Sequence, residues 1–215
     1  MWALVDDSNK ITNVYGEFPS RITINNRNYD KAELNAMSDS EKLAIKIYPV
    51  TAATELNNKY YISNNPTYAV DGNKVVETIT KAADRKLADE DAKDDEGNQL
   101  YEDDGTTKRI DYGLKTNAKN KATTDANGLL KDFDWLIQRK VTAETAIPSD
   151  VVTYMAAIRT DHKAICDAID GASDMNAFIA LHTDTYKEVD GEQVVDVIAR
   201  VNRWTSDKDV KQYRR

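Results

Sequence analysis

Apolar and polar positions follow short alternating runs over roughly residues 1–70 and then shift to a spacing of three and four. That shift predicts strands first and helices afterwards. Trp2-Ala3-Leu4-Val5 is an apolar run that stops at the turn formers Asp6-Asp7-Ser8-Asn9, and residues 11–15 can return beside it until Gly16 and Pro19. The β-branched Ile22-Thr23-Ile24 meets Asn25-Asn26, so the three runs predict a small antiparallel meander. Residues 29–47 read as helical, with Leu34, Met37, Leu43, Ala44 and Ile47 on the apolar side. Within them Ser38 and Glu41 have the three-residue spacing of a capping box, and Pro49 stops the helix. Residues 60–62 and 67–70 flank Ser63-Asn64-Asn65-Pro66, which predicts a second hairpin.

From residue 74 the spacing turns helical. Val75, Val76, Ile79, Ala83 and Leu87 predict one helix, and Leu114, Ala118, Ala122, Ala126, Leu129, Phe133 and Leu136 predict another. The clearest helix runs over residues 149–170, with Ser149 expected as its N-cap behind Pro148 and Gly171 as its stop. Its stripe, Val151, Met155, Ile158, His162, Ile165 and Ile169, alternates four and three like a coiled-coil seam. These six residues are the expected interface with a partner or a second copy. Two shorter helices are expected at 174–181 (Met175, Phe178, Ile179) and 192–204 (Val194, Ile198, Val201), before a polar tail that ends basic. The expectation is therefore an elongated α+β chain. A small antiparallel β-rich N-terminal domain spans 1–72, a helix with an exposed acidic loop or hairpin spans 73–111, and an antiparallel helical domain spans 112–215.

Charge narrows the function. The 215 residues carry 29 Lys and Arg against 37 Asp and Glu, a net −8, and residues 84–104 alone hold ten acids against three bases. Nucleic acid is a poor partner for such a chain, because phosphate backbones are held by clustered Lys and Arg. A mean hydropathy of −0.65 points to much surface per residue. No apolar window is long enough to span a bilayer, so membrane insertion is not expected. The first residues lack the basic start and long apolar core of a signal peptide, which suggests synthesis and folding in the cytoplasm. Cys166 is the only cysteine, so no disulfide forms within the chain.

Candidate chemistry is sparse. His162 and Cys166 lie four apart on one helix and could both face a metal, but a structural zinc needs four ligands and His182 is the only other histidine. As a nucleophile Cys166 would need an oxyanion site, and it sits deep in a helix rather than at an N-terminus. Against the calcium-loop pattern, frames set by Gly97 and Gly105 begin at Ala92 and Leu100 and so lack the first carboxylate. Phosphate-cradling glycine motifs, a G-x-S-x-G elbow and H-E-x-x-H do not occur. The expectation is a protein without catalytic residues, metal or cofactor.

Three segments resemble tail proteins of tailed bacteriophages, of the marine type. Met37-Ser38-Asp39-Ser40-Glu41-Lys42-Leu43-Ala44-Ile45-Lys46-Ile47-Tyr48-Pro49-Val50 is similar to the "helix, then Gly-hydrophobe-Tyr-Pro-hydrophobe" element of tail-fibre-associated and tail-fibre-assembly proteins, with Lys46 in the glycine position. Tyr60-Tyr61 to Val70, followed by Val75-Val76, is similar to its continuation. Tyr112-Gly113-Leu114-Lys115-Thr116, Asp134-Trp135-Leu136-Ile137-Gln138-Arg139-Lys140 and Thr145-Ala146-Ile147-Pro148-Ser149-Asp150-Val151, with Tyr154, Ile158 and Arg159, resemble the helical C-terminal segment of the same proteins. The resemblance implies a structural protein of the virion tail, docked at the baseplate or fibre attachment with fibre, hub or baseplate proteins as partners, self-association among them. It equally implies an alternative, a tail-fibre assembly chaperone that leaves before the particle matures.

Overall fold

The structure, a computed structural model, describes residues 1–214. The chain is α+β, with strands concentrated first and helices afterwards, and it divides into two compact units, Met1–Asp84 and Arg85–Arg215. The break thus falls at residue 84 rather than 72, because strands past that point pair back into the first unit. Nor is there a division at 111: the acidic segment expected as a region of its own belongs to the second unit.

The first unit contains β1 (Trp2–Val5), β2 (Ile11–Tyr15), β3 (Arg21–Ile24), β4 (Arg27–Asp30), α1 (Lys31–Ala36), α2 (Asp39–Ala44), β5 (Ile47–Thr51), β6 (Tyr61–Ser63), β7 (Thr67–Asp71), β8 (Lys74–Thr78) and β9 (Lys81–Asp84). Five strands form a sheet in the order β2-β1-β5-β8-β7, in which only β5 and β8 run parallel. Side chains alternate across it. Trp2 and Leu4 pack with Phe18, Ile22, Tyr29 and Leu34 on one face, while Ala3 and Val5 meet Tyr48 and Val75 on the other. The edge strands β2 and β7 approach each other, so the sheet curls around that second cluster.

Several local expectations change here. The third strand does not join the meander: β3 pairs with β4 across Asn25-Asn26, both at positive φ (48 and 62), the backbone that a tight two-residue hairpin turn requires. Residues 29–47 are not one helix but a strand, two short helices and a strand. The capping box at Ser38 and Glu41 does form, yet it starts α2 afresh and so divides the helix it was expected to lie within. Pro49 sits inside β5 opposite Trp2 and ends no helix; α2 already stops at Ala44, where Lys46 takes the left-handed φ of 64. Lys42, expected on no particular face, is buried, its Nζ donating to Met37 O at 2.7 Å and lying 4.5 Å from the Trp2 ring centroid. Segments 60–62 and 67–70 do not pair with each other. β6 pairs with β9, and β7 with β8, because the tight turn at Gly72 (φ 60) is the stronger hairpin former. The helix expected from Val75 and Val76 is therefore two strands, as its β-branched content favours.

The second unit contains β10 (Glu90–Asp91), β11 (Ile110–Asp111), α3 (Leu114–Lys131), α4 (Asp134–Ala143), α5 (Ser149–Gly171), α6 (Met175–Leu181), β12 (Thr185–Val189) and β13 (Glu192–Val197). The helix expected to continue through residue 136 breaks at Asp132, and the corner drives Phe133 fully into the core, 5.5 Å from the Tyr154 ring. Pro148 rather than Ser149 occupies the N-cap of α5, and Gly171 is its last residue. Ala122 and Ala126 are the buried positions of α3, and such small side chains let α5 pack closely on it. The C-terminal segment returns to this core: Val210 is buried, and Trp135 Nε1 donates to Tyr213 O at 2.9 Å. Residues 192–204, expected as a helix, instead form β13 and a short 3-10 turn. Asp190-Gly191 is a hairpin turn with both residues at positive φ (52 and 83), and the four-then-three spacing of Val194, Ile198 and Val201 is coincidental to it.

Among the glycines of this unit Gly113 has the least room, since a Cβ there would collide with the backbone of Leu87 and Ala88. Gly113→Ala should cost about 1–3 kcal/mol in urea unfolding followed on the second unit. Gly128→Ala, in mid-helix where a Cβ meets nothing within 4 Å, should gain up to about 1 kcal/mol.

Candidate functional site

The six seam residues are placed together, but inside the unit. Val151, Ile158, Ile165 and Ile169 are fully buried and Met155 nearly so on a helix packed against α3, and Val151, Met155 and Ile158 also cluster with Phe133, Leu136 and Val210. Four of the six thus have no surface to offer a partner, and the expected assembly face is largely the interior of the chain's own bundle. His162 is the polar member of the stripe and half-buried; its Nε2 lies 3.0 Å from Thr123 Oγ1 on α3 and 3.5 Å from Cys166 Sγ. The histidine thus ties α5 to α3. Burial pushes the Cys166 thiol up, which keeps it protonated and a weak nucleophile. Among the described residues no three His, Cys, Asp or Glu side chains converge to hold a metal. No helix among them is long and apolar enough to cross a membrane.

The acidic segment forms a short ladder rather than an open loop. β10 pairs with β11, and further bridges join Lys93 to Gln99 and Tyr101 to Lys108. Its acids build turns. Asp94 accepts from the backbone N–H of Glu96 and Asn98, and Asp104 from those of Thr106 and Thr107. Asp89 reaches the start of α3, accepting from Gly113 N at 2.7 Å and Thr116 Oγ1 at 2.9 Å. Asp91 pairs with Lys108 at 2.7 Å. Carboxylates committed to backbone donors in this way act as turn scaffolding.

Sequence reasoning missed an element that is left almost wholly exposed. β12 and β13 form an isolated two-stranded ribbon in which every residue is exposed except the half-buried Val194. Cross-strand partners share a face. Tyr186 lies opposite Val195 and Lys187 opposite Val194, so apolar side chains stand on both faces. Tyr186 is 57% exposed and Ile198, just past the ribbon, 53%. Its root is fixed: Ala199 is buried and donates to Asp184 Oδ1 at 2.6 Å, and Arg203 Nε donates to Ile198 O at 2.7 Å. Two strands alone are marginally stable in water. The signal that could have found it is Asp190-Gly191 between two β-branched runs.

Compared with family models, with curated proteins and with solved structures, the chain matches none.

The Asp104 carboxyl is held down to about 2 from its ordinary 3.8, first by the Thr107 hydroxyl and then by the backbone N–H groups of Thr107 and Thr106. A carboxyl depressed in the fold stabilises it above the ordinary value, and that contribution is lost as pH falls from 3.8 toward 2. An NMR titration should place the Asp104 midpoint near 2, and Thr107→Val should move it upward. A midpoint near 3.8 in the unaltered chain would show that this turn does not form in solution.

Proposed function

We propose that this chain is a structural component of a bacteriophage virion tail, an adaptor at the baseplate or fibre attachment that works by docking and without catalysis. The observation that carries the docking role is the β12–β13 ribbon, with apolar side chains on both faces that, Val194 apart, are exposed among the described residues. The assignment to a tail rests on the resemblance of residues 37–50 and 112–159 to tail-fibre-associated proteins. The left-handed backbone at Lys46 supports that resemblance, since it is a conformation in which the family's glycine is at ease. Fibre, hub or baseplate proteins are the partners on this reading, and the chain, made in the host cytoplasm, ends in the virion. Its acidic charge fits protein contacts better than nucleic-acid ones.

Quantitative mass spectrometry of purified tailed particles tests the reading. The expected result is this protein at a fixed copy number per particle, a small integer multiple of the tail symmetry, with Tyr186→Asp reducing its incorporation. Abundance in the infected lysate with none in particles would overturn the structural role and leave the assembly chaperone. Abundance in neither would overturn both.

A further inference from the structure

A second unused surface lies on the helices of the same unit. Gly128, Leu130, Lys131, Ile137, Met155 and Arg159 line an open groove of about 450 Å³ between α3, α4 and α5. Apolar side chains continue beyond it. Val141, one turn along α4 from Ile137, is 78% exposed, and Val152, one turn along α5 from Met155, is 51% exposed. The edge of this surface is basic: Lys131 and Arg159 line it, and Lys140 follows Ile137 by three residues on α4. Asp134 is the one acid in the lining. Arg159 Nη1 donates only to Met155 O, at 3.3 Å, and none of the three cations has a carboxylate partner among the described residues.

The β12–β13 ribbon carries the opposite charge. Residues 185–198 hold one lysine against four acids, a net −3, and Lys187 is already paired with Asp196 at 2.8 Å. Glu188, Asp190 and Glu192, grouped at the turn, have no cationic partner among the described residues. A ribbon with exposed apolar residues and an acidic tip, and a groove of mixed polar and apolar lining with a basic edge, therefore stand on one unit, and neither covers the other, since both are exposed. Two ribbons set against each other would bring like charges together; ribbon against groove brings unlike charges together and covers both apolar surfaces.

We infer that the occupant of the groove is the β12–β13 ribbon of a second copy of this chain, docked head to tail. The interface is heterologous, so each copy keeps one free ribbon and one free groove, and association continues until it closes into a ring or runs on as a filament. Glu188, on the face of Tyr186 and Val195, and Asp190 at the turn meet Lys131 and Arg159 of the next copy, and Tyr186 and Val195 cover Ile137 and Val141. The inference rests on the reading of the ribbon as a docking element, and names what it docks to.

Sedimentation of the purified full chain tests it. Up to about 100 µM, where a micromolar contact is well populated, the wild type should grow beyond a dimer with rising concentration, and less so in high salt. Glu188→Lys with Asp190→Asn, and separately Lys131→Glu with Arg159→Glu, should each give a monomer with unchanged circular dichroism. An equimolar mixture of unaltered ribbon with unaltered groove is then created by combining Tyr186→Ser and Val141→Ser chains, whose intact halves should pair into a 1:1 dimer that grows no further. This second pair of variants carries no charge reversal, and serves if a reversed chain fails to fold. A wild type that stays monomeric overturns the inference, as does a groove variant that associates like the wild type while the ribbon variant does not. A wild-type monomer whose Tyr186→Asp variant is nevertheless lost from particles would overturn self-docking and keep the ribbon's role toward other tail proteins.

Discussion

The second unit depends on the packing of α5 against α3. Ala122 and Ala126 bring the two backbones near, and Val151, Ile158, Ile165 and Ile169 are then sealed between the helices and their neighbours. Fully burying each such side chain contributes roughly 1.5–3 kcal/mol relative to leaving it in water, so the seam is worth far more inside the chain than held open for a partner. Once α5 is committed inward, the Phe133 corner, the C-terminal return to Val210 and the bond from Trp135 to Tyr213 all pack around it. The ribbon and the helix surface around Ile137 and Val141 are among the parts that this core leaves exposed.

The same commitment explains where the acid goes. A net charge of −8 suggests a steering surface, yet many of the acids in the densest stretch are occupied locally. Asp89 holds the entry to α3, Asp94 and Asp104 each tie down a turn, and Asp91 joins the two sides of the ladder through Lys108. Turn-rich connections use Asp because its short side chain accepts from backbone N–H groups two and three residues on. The acids at the ribbon's tip differ in having no such partner among the described residues, which is why their charge is available to another molecule.

The α+β class and the order of strands before helices were legible in the sequence, as were α5, α6 and the capping box at Ser38. Each depends on local chemistry that periodicity or caps report directly. Pairing was less legible. Val75 and Val76 have helical spacing but lie between the tight Gly72 turn and the parallel neighbour β5, and only the partner strands make them β. Val194, Ile198 and Val201 mimic a helix face in the same way. The seam was legible as an apolar stripe and misassigned as an outer interface, because a stripe records that a face is buried and not what buries it. The ribbon was hidden because its apolar residues stand on both faces and follow no strand alternation, so that only the Asp190-Gly191 turn marks it.

The central claim is that the apolar stripe of α5 is spent inside the chain while the β12–β13 ribbon is left for a partner. Amide hydrogen exchange on the dilute chain, resolved over residues 149–198, tests this most directly. The account predicts slow exchange along α5 at Ile158, Ile165 and Ile169 and much faster exchange across Tyr186 to Val197, with the ribbon slowing on association. Fast exchange in α5 together with a protected ribbon in the dilute chain would contradict it.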